Sequence, residues 1–136
     1  MKRTILTTIA ALGLCLGASA ASIITQWNFN SNPADANTAT GTLNPAIGSG
    51  TAVAVGVGVS NFNPGTPNPA DPGGADNTAW RTGNFPPQGA GNKTCGVQFN
   101  VGTAGYENIS LSWDQANSVT ANKYYRVQYS IDGGAN

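Results

Sequence analysis

Three runs of alternating apolar and polar residues in the last third of the chain constrain its fold most strongly. The apolar side chains occupy every second position in each run: Val97, Phe99 and Val101; Ile109, Leu111 and Trp113; Tyr125, Val127, Tyr129 and Ile131. Successive side chains of a β-strand point to opposite faces, so this alternation is typical of strands with one buried and one solvated face. Because turn-rich segments separate the runs, we expect consecutive antiparallel strands.

The earlier part of the chain also favours β-structure. Trp27 and Phe29 belong to a short alternating run, and valines occupy every second position from Val53 to Val59. Glycine and alanine occupy the opposite face of the valine run, which suits close packing or a bend. Residues 63–74 are rich in proline and glycine and predict a surface loop. Since no helical periodicity follows residue 21, we predict an all-β, antiparallel fold.

The N-terminus has the three parts of a secretory signal peptide. Lys2 and Arg3 precede an apolar run over residues 5–16, and Ala18-Ser19-Ala20 provides small residues at the positions that signal peptidase recognises. We therefore expect a helical signal peptide at residues 1–20, cleavage between Ala20 and Ala21, and a secreted or cell-surface module at residues 21–136. The apolar run is short for a membrane span, although an uncleaved anchor is the alternative. No membrane span is expected after cleavage.

Charge and cysteine content narrow the classes of partner. Cleavage removes Lys2 and Arg3 and leaves four basic against six acidic residues, a net charge of −2. This charge argues against binding to nucleic acid or anionic membranes, which requires clustered basic residues. Cys95 would be the one remaining cysteine, so no disulfide is expected within residues 21–136. We interpret it as a small apolar residue of a strand.

The acidic residues do not predict a catalytic site or a metal centre. The chain has no histidine, which excludes Ser-His-Asp and Cys-His arrangements. Glu107 and Asp114 are the acids beside strong strand patterns, and paired carboxylates of a glycoside hydrolase are the enzymatic alternative. We expect no catalytic residues. We also expect no cofactor: residues 71–77 offer oxygen ligands suited to structural calcium, but turn chemistry explains them better.

The aromatic residues divide into a predicted core and a predicted surface. Six share a strand face with aliphatic residues and are expected inside: Trp27, Phe29, Phe99, Trp113, Tyr125 and Tyr129. Trp80 and Tyr124 lack such neighbours. Aromatic faces stack on sugar rings, so these two, with Arg81 and Asn77 as polar partners, are the predicted residues for binding a glycan or other cell-surface polymer.

Several segments resemble one family of exported proteins. They are Asp76-Asn77-Thr78-Ala79-Trp80, residues 93–101, residues 105–115 and Val127-Gln128-Tyr129-Ser130-Ile131-Asp132-Gly133-Gly134. Together they are similar to the jelly-roll β-sandwich modules of secreted bacterial surface proteins of the PEP-CTERM-associated type. The resemblance implies a jelly-roll-like antiparallel β-sandwich with an accessory, binding or structural role, and it brings no catalytic residues. The given sequence has no Pro-Glu-Pro motif, so the resemblance gives no basis for predicting the anchoring route of those proteins here.

The last residues predict half of a hairpin. Residues 129–131 continue a strand, and Asp132-Gly133 is typical of a tight turn, after which a returning strand is expected. We therefore expect an incomplete sandwich, truncated at its C-terminus and belonging to a longer cell-surface protein. The predicted function is a non-catalytic structural or surface-interaction module, with a carbohydrate-binding module of a polysaccharide-degrading enzyme as the alternative.

Overall fold

The described part of the chain is all-β and contains four strands. The computed structural model describes residues 21–66, 76–121 and 124–132. Strand β1 (Thr51–Val55) pairs antiparallel with β4 (Gly96–Asn100), and β2 (Val59–Pro64) pairs antiparallel with β3 (Thr78–Gly83). These pairs form two separate two-stranded sheets. The described residues include no helix, and so none that is long and apolar enough to cross a membrane. The predicted signal peptide at residues 1–20 lies outside them.

The valine run from Val53 to Val59 forms parts of two strands, because the chain turns at Gly56. Gly56 has a φ of +62°, a left-handed conformation that a side chain disfavours. A Cβ there would also collide with the carbonyl oxygen of Thr94 and lie 2.8 Å from the Cys95 sulfur. The Cys95 thiol in turn donates a hydrogen bond to the Gly56 carbonyl at 2.8 Å. The bare face of this run thus marks the bend between β1 and β2.

The predicted strand around Trp27 is reduced to a single bridge. Gln26 pairs with Ile47, and the N–H of Thr42 donates to the Phe29 carbonyl at 3.2 Å. Phe29 itself has a φ of +61°, which interrupts the extended backbone that a continuing strand needs. Residues 26–30 therefore run beside residues 42–47 without forming a ladder.

A small, partly buried aromatic cluster packs beside one buried alanine. Ala52, which is 6% exposed, is the one apolar residue classed as buried within the described ranges. Ring centroids lie 4.9 Å apart for Trp27 and Phe99, 5.7 Å for Phe29 and Trp80, and 6.1 Å for Trp80 and Phe99. Since Phe99 belongs to β4 and Trp80 to β3, this cluster connects the two sheets.

Two of the three strongest strand predictions were wrong. Residues 97–100 of the first run lie in β4, but residues 109–113 and 125–131 form no strand. Their apolar side chains are exposed. Of the six aromatics expected in the core, four are exposed: Phe99 at 42%, Trp113 at 60%, Tyr125 at 53% and Tyr129 at 93%. An alternating pattern becomes a strand only when another strand satisfies its backbone, and these segments have no such partner among the described residues. The predicted turn reaches Asp132, and Gly133 lies outside the description.

Candidate functional site

The Asp76 carboxylate is the buried acidic group of the described residues, with Asp76 6% exposed. Its Oδ2 accepts hydrogen bonds from the N–H of Ser31 at 3.0 Å and from the N–H of Asp35 at 3.4 Å. Its Oδ1 accepts the Thr78 hydroxyl at 3.0 Å. Asp76 precedes β3, whereas Ser31 and Asp35 lie more than 40 residues earlier, so the carboxylate ties a distant loop to the start of this strand.

Thr78 provides the second tie between the same segments. It is 2% exposed, and its N–H donates to Asn30 Oδ1 at 2.8 Å. Its hydroxyl lies 3.2 Å from the carbonyl oxygen of Thr40. Buried polar groups destabilise a fold unless they are hydrogen-bonded, and both Asp76 and Thr78 are satisfied. We refer to Asn30, Ser31, Asp76 and Thr78 as the polar anchor.

Asp35 organises the loop beyond the anchor. Its Oδ2 accepts the Thr40 hydroxyl at 2.5 Å, and its Oδ1 accepts the N–H of Asn37 at 2.9 Å. The Thr40 hydroxyl and then the Asn37 N–H stabilise the ionised carboxylate and hold the pKa of Asp35 below its usual value, while desolvation opposes them. Asp35 is exposed, so its charge remains in contact with solvent.

The chemistry of the anchor suits structure better than catalysis. Every hydrogen bond to the Asp76 oxygens comes from an N–H or O–H donor of the chain itself. These three hydrogen bonds occupy most of the roughly four lone-pair sites of a carboxylate, so Asp76 is already engaged in holding the chain. Within residues 21–66, 76–121 and 124–132, no three acidic, cysteine or histidine residues gather as metal ligands. Residues 71–75 of the predicted oxygen-rich loop lie outside these ranges.

Trp80 lies in the aromatic cluster instead of standing free on the surface. Its ring contacts Phe29 and Phe99, and its indole N–H donates to the Ser60 hydroxyl at 2.9 Å. Across the β2–β3 ladder it faces Phe62. A ring held on several sides has less free face for stacking on a sugar.

The other predicted ligand-binding residues occupy different surroundings. Arg81 is exposed and follows Trp80 on β3, so its side chain points to the opposite face of the strand. Asn77 is half-buried between Asp76 and Thr78, and its carbonyl accepts the Gly65 N–H at 2.8 Å. Tyr124 is 93% exposed. Glycan binding by these four residues stays a prediction, and the strand geometry would direct Trp80 and Arg81 to different surfaces.

The remaining candidates are surface residues. Glu107 and Asp114 are both exposed and belong to the segment in which no strand forms. Ala21 is the first described residue and is exposed, while Ala20 lies outside the description. Cleavage between them stays a prediction.

The sequence interpretation missed the polar anchor. Asp76 was read with its neighbours as part of a turn, and Asn30 and Ser31 were not singled out. The one local signal is the Asp-x-Thr spacing of Asp76 and Thr78, which puts a carboxylate within reach of a hydroxyl two residues on. The hydrogen-bond partners Asn30, Ser31 and Asp35 in the earlier loop lie 41 to 48 residues away along the chain, and no local sequence pattern predicts these contacts.

Comparison with known proteins does not assign the chain to a family: no family model matches it, and no curated protein or solved structure matches it significantly.

Proposed function

We propose that this chain is an exported, non-catalytic β-sandwich module with a structural or surface-interaction role. The observation that carries the proposal is the polar anchor. Its carboxylate, Asp76, is buried and uses both oxygens to hold backbone and hydroxyl groups of the chain itself. A catalytic carboxylate must instead reach a substrate, directly or through one water.

The β-sandwich part of the proposal extends the two observed sheets. The Trp80–Phe99 contact, with ring centroids 6.1 Å apart, brings a side chain from each sheet together, as an inner sandwich layer requires. The alternating residues 109–113 and 125–131 have the pattern of further strands. Pairing them would bury Leu111, now 71% exposed, and Ile131, now 96% exposed.

Export and the lack of catalysis are tested on the secreted protein. We expect N-terminal sequencing of material recovered outside the producing cell to begin at Ala21. We expect the purified chain not to hydrolyse a panel of polysaccharides, peptides and nucleic acids. Hydrolysis that Glu107→Ala or Asp114→Ala abolishes would refute the non-catalytic role, and an N-terminus at Met1 would refute cleavage.

A carbohydrate-binding module is the second candidate, and the exposed aromatics favour it. Tyr124 presents almost its whole side chain to solvent, and Trp113 is 60% exposed. Such faces can stack on sugar rings. We expect pull-down by an insoluble polysaccharide to weaken in Tyr124→Ala and to remain in Val119→Ala, a control that removes another fully exposed apolar side chain. Equal retention of both variants and the parent would contradict stacking by Tyr124.

A further inference from the structure

A polar cavity lies between the two chain segments that precede β1. Its volume is about 260 Å³. Its polar lining comes from Asn28, Asn30, Ser31 and Asn32 on one side and from Thr42 and Asn44 on the other. Pro45 and Ala46 complete the second side. None of these residues was a predicted ligand-binding residue.

The cavity opens because the backbone pairing of these two segments is interrupted. At one end, Gln26 exchanges hydrogen bonds with Ile47, and its carbonyl also accepts the Ala46 N–H at 2.7 Å. At the other end, the Thr42 N–H donates to the Phe29 carbonyl. Between these points the Leu43 carbonyl accepts the Trp27 indole N–H at 2.8 Å in place of a backbone donor. The segments are thus fixed at both ends and separated in the middle.

Two carboxamides in the lining have a defined orientation. Asn30 Oδ1 accepts the Thr78 N–H at 2.8 Å, and Asn28 Oδ1 accepts the Asn30 N–H at 3.2 Å. Reversing either amide would place an NH₂ group against an N–H, so the oxygens are assigned to these bonds. The Nδ2 groups of both residues have no hydrogen-bond partner within the described part of the chain. They are donors available to a ligand.

The buried residues of the polar anchor, Asp76 and Thr78, hold in place the side of the cavity that Asn30 and Ser31 line. Asp76 fixes the Ser31 backbone, and Thr78 fixes the Asn30 side chain. Groups held in position before a ligand arrives lose little conformational entropy when they bind it. Thr42 contributes a further ordered hydroxyl, whose oxygen accepts the Asn44 N–H at 3.0 Å.

We propose that this cavity binds one neutral monosaccharide unit. Its polar lining side chains are all uncharged carboxamides and hydroxyls, which match the hydroxyl and ring oxygens of a sugar and provide no counter-charge for an ion. Pockets for drug-sized ligands are about 300–1,000 Å³, so this smaller volume suits a single ring. The inference goes beyond the structural role proposed above and does not depend on stacking by Tyr124.

The test is a titration of the full ¹⁵N-labelled chain, as secreted, with D-glucose, D-galactose, D-mannose and N-acetyl-D-glucosamine, monitored by NMR. With at least one sugar we expect saturable shifts of the Asn28, Asn30 and Asn44 side-chain amide signals, with a Kd on the order of 1 mM. Asn44→Ala and Asn28→Ala should each weaken binding about fivefold, the loss expected for one hydrogen bond. Asn61→Ala, an exposed carboxamide on β2, should leave it unchanged.

Asn44→Ala decides the test if Asn28→Ala disturbs folding. The Asn44 side chain is exposed and makes no hydrogen bond within the described residues, so its removal should preserve the fold. The absence of saturable shifts with all four sugars would overturn the proposal, as would shifts that Asn44→Ala leaves unchanged. Either result would leave the structural role of Asp76 untouched, because that role is measured by stability.

Discussion

Replacement of Asp76 by alanine should destabilise the fold strongly. The carboxylate accepts two hydrogen bonds of ordinary length, from the Ser31 N–H and the Thr78 hydroxyl, each at 3.0 Å, and a longer one from the Asp35 N–H at 3.4 Å. A hydrogen bond to a charged group contributes about 1.5–3 kcal/mol, and the long one contributes least. Part of this loss is offset where water reaches the freed donors. We therefore expect Asp76→Ala to lower the free energy of unfolding by about 3 kcal/mol.

Asp76→Asn should cost less, about half as much, because the amide preserves the shape and can still accept the Ser31 N–H. Its Nδ2 would then donate to the Thr78 hydroxyl, which can turn its own hydrogen to the Thr40 carbonyl 3.2 Å away. Urea unfolding followed by tryptophan fluorescence measures the free energy of unfolding of the parent and of the two Asp76 variants. The exposed Asp35→Asn is the matched control and should change stability much less at neutral pH. An Asp76→Ala variant within about 0.5 kcal/mol of the parent would refute the anchoring role.

Three further predictions concern the bend, the loop and the exposed apolar segments. Gly56→Ala should lower the free energy of unfolding, measured in urea, by about 2 kcal/mol, because the new side chain is strained at a left-handed φ and collides with the Thr94 carbonyl. The control Gly102→Ala has open space around it and should change stability little; equal effects would contradict the requirement for glycine at the bend. Because folding lowers the pKa of Asp35, the stabilisation by its carboxylate is present above pH 3.8 and is lost as the pH falls through the lowered pKa. Asp35→Asn should therefore flatten the dependence of the thermal-unfolding midpoint on pH in this acidic range, and an unchanged dependence would contradict the prediction. Because Leu111 is 71% exposed, we expect the parent chain to self-associate in sedimentation experiments and Leu111→Lys to associate about tenfold more weakly; a monomeric parent or unchanged association would exclude that surface.

Alternation along the sequence predicted strands well where a partner strand exists. Residues 97–100 of the predicted run lie in β4, which pairs with β1 over Thr51–Val55. Residues 109–113 and 125–131 have equally regular patterns but form no strand. A period of two records which way side chains would face in an extended chain, and it carries no information on whether another strand is present to pair with it.

Backbone conformation explains a second group of differences. The alternation at Trp27 and Phe29 suggested a strand, but the φ of +61° at Phe29 interrupts it. A left-handed phenylalanine is uncommon and has no sequence signature. At Gly56 the positive φ falls on a glycine, the residue best suited to it, so the bend could be anticipated from the bare face of the valine run.

The aromatic cluster and the polar anchor both depend on contacts between distant residues. Trp80 was predicted at the surface because it shares no strand face with Val, Leu or Ile, yet its ring centroid lies 6.1 Å from that of Phe99 on the other sheet. In the sequence Asp76 resembles an ordinary turn residue, and its structural role is visible only from its hydrogen bond with the distant Ser31 N–H. Propensity and spacing describe neighbours along the chain, so neither contact could be found from them.

The rate of hydrogen exchange at the Ser31 amide tests most directly whether Asp76 serves to hold the fold. This N–H donates to Asp76 Oδ2 from a loop residue outside the four strands. We predict slow exchange of the Ser31 amide in the parent chain and fast exchange in Asp76→Ala. The amides in the ladder between β1 and β4 should stay protected in both proteins. Equally fast exchange of the Ser31 amide in the parent and the variant would contradict the claim.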